Sequence, residues 1–116
     1  MLRVFATFPT GQTFYSYIKR IEDGLYYDDN DQTFKAFASL IDGQIEFTED
    51  SDVSGEYSWE KEIPDGEYVI YTKQSPGDTN AAAAERVVIK FGNEVVDATV
   101  VSDNSGVIEV EVVDAC

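Results

Sequence analysis

Tyr-Ser-Trp-Glu-Lys-Glu-Ile-Pro-Asp-Gly-Glu-Tyr-Val-Ile-Tyr-Thr-Lys, residues 57–73, decides the fold class of this chain. Two strand-like runs flank Ile63-Pro64-Asp65-Gly66. Pro64 fixes φ at the first turn position, and Asp65-Gly66 tolerates tight-turn geometry. Beyond the turn, Tyr68, Ile70 and Thr72 alternate with Glu67, Val69, Tyr71 and Lys73, the period of a strand. The segment reads as a β-hairpin in a chain built mainly from hairpins.

The same alternation runs outward in both directions. Leu2, Val4, Ala6 and Phe8 share one face of a first strand, before a turn at Pro9-Thr10-Gly11. Thr13 to Ile21 reads as a second strand, and Asp23-Gly24 turns the chain into Leu25-Tyr26-Tyr27. Phe34 to Leu40 fits either a short helical turn or a strand. Gln44 to Thr48 alternates again and precedes an acidic loop, Glu49 to Gly55. Ser75-Pro76-Gly77-Asp78 marks a loop, and Ala81 to Glu85 suits one helical turn. Arg86 to Phe91 reads as a strand with Val87, Ile89 and Phe91 on one face, joined through Gly92-Asn93 to a return strand from Glu94 to Val101. Asp103-Asn104-Ser105-Gly106 leads into a last strand, Val107 to Val113. That strand is a hazardous edge unless it completes its own sheet or pairs with another subunit. The expectation is an all-β, single-domain antiparallel β-sandwich of about eight to ten short strands, immunoglobulin-like, transthyretin-like or jelly-roll-like. One domain spans residues 1–116, with 95–116 a candidate assembly arm or edge-strand hairpin.

The 116 residues suffice for one domain with its own core. An apolar fraction of 43% excludes global disorder. Eight basic residues against 23 acidic ones give a net charge of −15, which repels nucleic acid and anionic membranes and favours solubility. A charged partner would have to present basic groups. Met1 to Phe5 lacks the apolar core of a signal peptide, and no stretch is long enough to span a bilayer as a helix.

Chemistry is sparse. Without histidine the chain lacks the commonest general base and transition-metal ligand, so Ser54 and Ser75 have no triad partner. A single cysteine, Cys116, excludes an intrachain disulfide and a thiolate metal cluster. Asp28, Asp29, Asp31 and Thr33 hint at a calcium loop. Counted from Asp29, however, Phe34 stands where an EF-hand needs glycine and Leu40 where it needs glutamate. That segment, like Glu49-Asp50-Ser51-Asp52, reads as a solvent-facing loop. The acids sit mostly at turns or alternate outward, the pattern of a surface rather than of a hydrolase pair. The expectation is no enzymatic activity, no cofactor and no metal.

Aromatic residues remain. Neighbours on a strand point to opposite faces, so Phe14, Trp59 and Tyr68 are assigned to the core, and Tyr15, Tyr17, Tyr27 and Tyr71 to contact with a partner. Val107, Ile108, Val110 and Val112 on the last strand join them as interface candidates.

Phe34-Lys35-Ala36-Phe37, Ile45-Glu46-Phe47-Thr48-Glu49, Ser54-Gly55-Glu56-Tyr57, Ile63-Pro64-Asp65-Gly66-Glu67-Tyr68 and Ser75-Pro76-Gly77-Asp78 follow one another in an order that resembles small β-sandwich structural proteins of tailed bacteriophages. The resemblance spans roughly residues 12–90 by turn chemistry and motif order. Gly-x-Tyr and Pro-x-Gly-x-Tyr also recur in transthyretin-like and fibronectin-like sandwiches. The resemblance implies a virion protein assembled in the host cytoplasm, first a capsid decoration or cement protein bound to the major capsid protein, second a neck, tail or baseplate component. It also implies a homo-oligomer. A carbohydrate-binding β-sandwich module is the alternative from another class.

Overall fold

The computed structural model describes residues 2–7, 11, 13–36, 43–73, 83–91, 94–103 and 109–114. Among them are eleven strands and no helix: β1 Leu2–Thr7, β2 Tyr15–Arg20, β3 Tyr26–Asp28, β4 Thr33–Lys35, β5 Ile45–Glu46, β6 Thr48–Glu49, β7 Glu56–Lys61, β8 Gly66–Lys73, β9 Ala83–Lys90, β10 Glu94–Asp103 and β11 Glu109–Asp114. They form two antiparallel sheets. The smaller has the order β11-β1-β7-β6, and the larger β10-β9-β8-β2-β3-β4 with β5 also paired to β2. The fold is the single-domain β-sandwich that the alternation predicts.

Alternation explains the core. Leu2, Val4 and Ala6 of β1 and Tyr57 and Trp59 of β7 are buried from one side. Ile18, Tyr68, Ile70, Val87 and Ile89 are buried from the other. Cross-strand register aligns them, with Val4 opposite Trp59, Ile18 opposite Ile70 and Tyr68 opposite Val87. Aromatic edges fill the space between, Phe14 on Tyr57 at 5.6 Å and Phe47 on Trp59 at 6.3 Å. One polar thread crosses this core. Trp59 Nε1 donates to Ser16 Oγ at 3.0 Å, and Ser16 Oγ lies 3.5 Å from Thr72 Oγ1. Each buried polar atom of the thread is thereby satisfied, which an apolar interior demands.

The structure corrects the reading of residues 57–73. β7 and β8 do not pair: β7 belongs to the smaller sheet and β8 to the larger. Ile63-Pro64-Asp65-Gly66 is therefore an arch between sheets, not a hairpin turn. Ile63 is buried within it, and the Tyr68 hydroxyl donates to the Pro64 carbonyl at 2.7 Å. A tyrosine whose hydroxyl reaches back a few residues to the backbone at a sheet-to-sheet corner is the tyrosine corner of β-sandwiches. Gly66, at φ 157°, is required here. A Cβ at that position would lie 3.1 Å from the Tyr68 hydroxyl and 3.3 Å from its ring, and the ring is buried and has nowhere to go.

Residues 44–48 are corrected in the same way. The run is split, β5 pairing with β2 and β6 with β7. Phe47 is the crossing point, its amide donating to the Phe14 carbonyl at 2.9 Å. Ile45 and Phe47 stay buried and Glu46 and Thr48 exposed, so the alternation survives the change of sheet.

One further expectation changes and two open readings close. The alanine-rich segment is strand from Ala83, because Ala84 pairs with Tyr71 and Glu85 with Ile70, and ladder pairing overrides alanine's helical preference. Phe34 lies in β4, while residues 37–40 of that ambiguous segment fall outside the described residues. The last strand, β11, pairs with β1 of its own chain, and β10 with β9. The two C-terminal strands thus end different sheets instead of forming a hairpin with each other.

Candidate functional site

The outward face of the larger sheet collects tyrosines. Tyr15 and Tyr17 of β2 stand opposite Lys73 and Tyr71 of β8. Tyr17 and Tyr71 stack at 4.6 Å and 12°, and Tyr26 leans on Tyr17 at 5.8 Å. Lys73, only 2% exposed, places its ammonium 5.0 Å from the centre of the Tyr17 ring. Such a cation on a ring face is an attractive contact. Tyr15, Tyr17 and Tyr71 therefore share one face, and Tyr17 is buried there by its own neighbours.

Tyr27 does not join them. Tyr26 is the register partner of Lys19 on the outward face, so the next residue points inward. Tyr27 is buried against Phe34 at 5.6 Å. Desolvation there, reinforced by Asp29 and Asp28, raises its phenol above the ordinary value. Val110 and Val112 occupy register positions opposite Ala6 and Val4. Val107 and Ile108 lie outside the described residues.

The acidic segments are held internally. Asp28, expected at a solvated loop, is buried: Lys35 Nζ lies 3.2 Å from its Oδ2, and the Asn30 amide donates to its Oδ1 at 2.9 Å. Asp31 pairs with the same lysine, whose hydrogen bond holds the Asp31 carboxyl below its usual value. Asp29 meets Lys61 at 3.0 Å. In the second loop Asp50 Oδ1 accepts the amides of Asp52 and Val53, and Glu49 Oε2 accepts that of Gly55 at 2.8 Å. Among the described residues no group of three or more carboxylate, cysteine or histidine side chains is placed to hold a metal ion. A shallow cavity of about 270 Å³ lies between Tyr27, Gln32 and the Glu60-Lys61-Glu62 strand end.

The surface that the sequence reading misses is the β9–β10 hairpin. Phe91 is expected on the core face with Val87 and Ile89. Instead β9 ends at Lys90, Phe91 takes a left-handed φ of 56°, and its ring is 79% exposed. A bulky residue there is uncommon and costs conformational energy. Val96 and Val101 are 44% and 59% exposed. The β9–β10 register skips at both, from Val95 to Asp97 and from Val100 to Ser102. Each is the extra residue of a β-bulge, left out of the ladder and turned away from the core. The doublets Val95-Val96 and Val100-Val101 are the signal for this in the sequence. On the outward face of this edge Arg86 bridges Glu67 at 3.0 Å and Asp97 at 3.4 Å.

No protein-family model matches this chain, no curated protein matches it, and no solved structure matches its fold at a significant level.

Proposed function

We propose that this chain is a non-enzymatic structural protein of a bacteriophage virion, a decoration or cement protein that strengthens the shell by bridging coat subunits. The observation that carries the assembly role is the gathering of exposed apolar side chains on one hairpin. Phe91, Val96 and Val101 stand out there on a chain of net charge −15. Acidic surface keeps such a protein dispersed at high concentration, and a local apolar edge gives it somewhere to bind. The two-sheet core braced by the Tyr68 corner supplies the rigidity that a binding surface needs. The virion context comes from the order of the Ile-Pro-x-Gly-x-Tyr, Gly-x-Tyr and Ser-Pro segments.

The test is the copy ratio of this chain to the major coat protein in purified particles, by quantitative mass spectrometry. A simple fraction of the coat count is the expected result. A handful of copies moves the protein to the neck, tail or baseplate. Absence from particles overturns the virion reading, and glycan binding by Tyr15 and Tyr26 becomes the property to measure.

A further inference from the structure

β10 is an anomaly of the fold. It is the longest strand, ten residues with valine at positions 95, 96, 100 and 101. Yet Glu94, Val96, Asp97, Ala98, Thr99 and Val101 are all exposed, and Val95 is only partly buried against the core. It pairs on one side with β9 and ends the larger sheet on the other. Between its two bulges, Asp97 to Val100 keeps regular register with Val88 to Glu85, a four-residue ladder whose far edge has no hydrogen-bonded strand among the described residues, β11 coming near β10 without pairing to it. Natural edges are usually shortened, bulged or charged with lysine to prevent pairing. Here the bulges confine pairing to a short window and set an exposed valine at each end of it.

Charge selects the occupant. β10 carries Glu94, Asp97 and Asp103 and no lysine or arginine. A second copy paired antiparallel about the centre of the window, between Ala98 and Thr99, would bring Glu94 opposite Asp103 at both ends. Like charges directly opposite are destabilising, and two chains of −15 repel at longer range. Of the nearby cations, Arg86 already bridges Glu67 and Asp97, and Lys90 stands at the register position of Glu94.

We propose that the free edge of β10 takes up an extended segment of a different protein in which apolar residues alternate with lysine or arginine. Its backbone adds a strand at Asp97–Val100, its apolar side chains meet Val96 and Val101, and its basic side chains face Glu94 and Asp97. Strand addition obtains affinity from main-chain hydrogen bonds and selectivity from alternate side chains. The inference rests on the reading of this chain as an assembly protein and names the surface and the chemistry of its partner.

The test uses the full chain and a ten-residue peptide of alternating valine and lysine, followed by amide hydrogen exchange. The expected result is slowed exchange within Asp97–Val100, with binding weakened by salt. The double variant Val96→Lys, Val101→Lys, with its thermal midpoint retained, should lose at least tenfold in affinity. Equal binding and protection with a lysine–proline peptide, which has the charge but cannot form a ladder, overturns the proposal. So does protection confined to another strand, or sedimentation showing dimers whose β10 is protected without peptide. Peptide binding by a chain absent from particles would remove the virion reading alone. Stoichiometric incorporation without β10 protection would remove this proposal alone.

Discussion

β8 and β10 are strands of one sheet with similar apolar content and opposite fates. β8 buries Tyr68, Ile70, Thr72 and Lys73 and has neighbours on both sides. β10 leaves nearly every described side chain in solvent and pairs with one strand among the described residues. The difference lies in position rather than composition. β8 lies within the sheet, flanked by β2 and β9, where burial on the inner face and pairing on both edges reinforce each other. β10 is at the margin, where valine gains little from the protein's own core. Apolar residues that fold the molecule and apolar residues that are left for a partner are thus separable.

Substitutions should separate them too. Trp59→Ala, in the core facing β2 and β8, should cost about 3–5 kcal/mol by loss of packing and of the bond to the Ser16 hydroxyl, read as a fall in the denaturant midpoint. Gly66→Ala should cost about 1–3 kcal/mol, because its methyl group meets the buried Tyr68 ring and φ 157° is foreign to alanine. Tyr68→Phe, which removes only the bond to the Pro64 carbonyl, should cost about 1 kcal/mol. Val96→Lys and Val101→Lys should each stay within about 0.5 kcal/mol of the parent. A large loss at Val96 or Val101 would break the comparison, because β10 would then be part of the folding core.

Alkaline titration sharpens it further. Burial raises the Tyr68 and Tyr27 phenols above their ordinary value of 10.0. A group whose pKa is raised by folding stabilises fully below its unfolded pKa, and that contribution disappears as pH rises through the folded value. Stability should therefore hold to about pH 10 and then fall, with phenolate absorbance from these two rings appearing at higher pH than that of an ordinary tyrosine. Tyr68→Phe should make the fall shallower.

Much of this fold is legible in the residues. The Leu2-Val4-Ala6 and Val87-Ile89 faces, the Asp23-Gly24 turn and the β9–β10 pairing all follow from period-two alternation and turn chemistry. The destination of a turn does not. Pro64-Asp65-Gly66 bends the chain whether the next strand pairs with the last one or crosses to the other sheet. The choice is made by tertiary contacts, Ile63 entering the core and Tyr68 reaching back to Pro64. Phe47 teaches the same lesson, since alternation is identical on both sides of its crossing. The tyrosine face was half legible: Tyr15, Tyr17 and Tyr71 share it, but one register position decides between Tyr26 and Tyr27. Phe91 escapes the core because its own left-handed backbone ends the alternation that points it inside.

β1 joins strands far apart in the chain, β7 on one side and β11 on the other. During synthesis β7 emerges first and β11 about 50 residues later. At a ribosomal rate of about 5–20 residues per second, one border of β1 stays open for some 2–10 seconds. The nascent protein is most exposed to miswiring in that interval, and the emergence of β11 seals the small sheet.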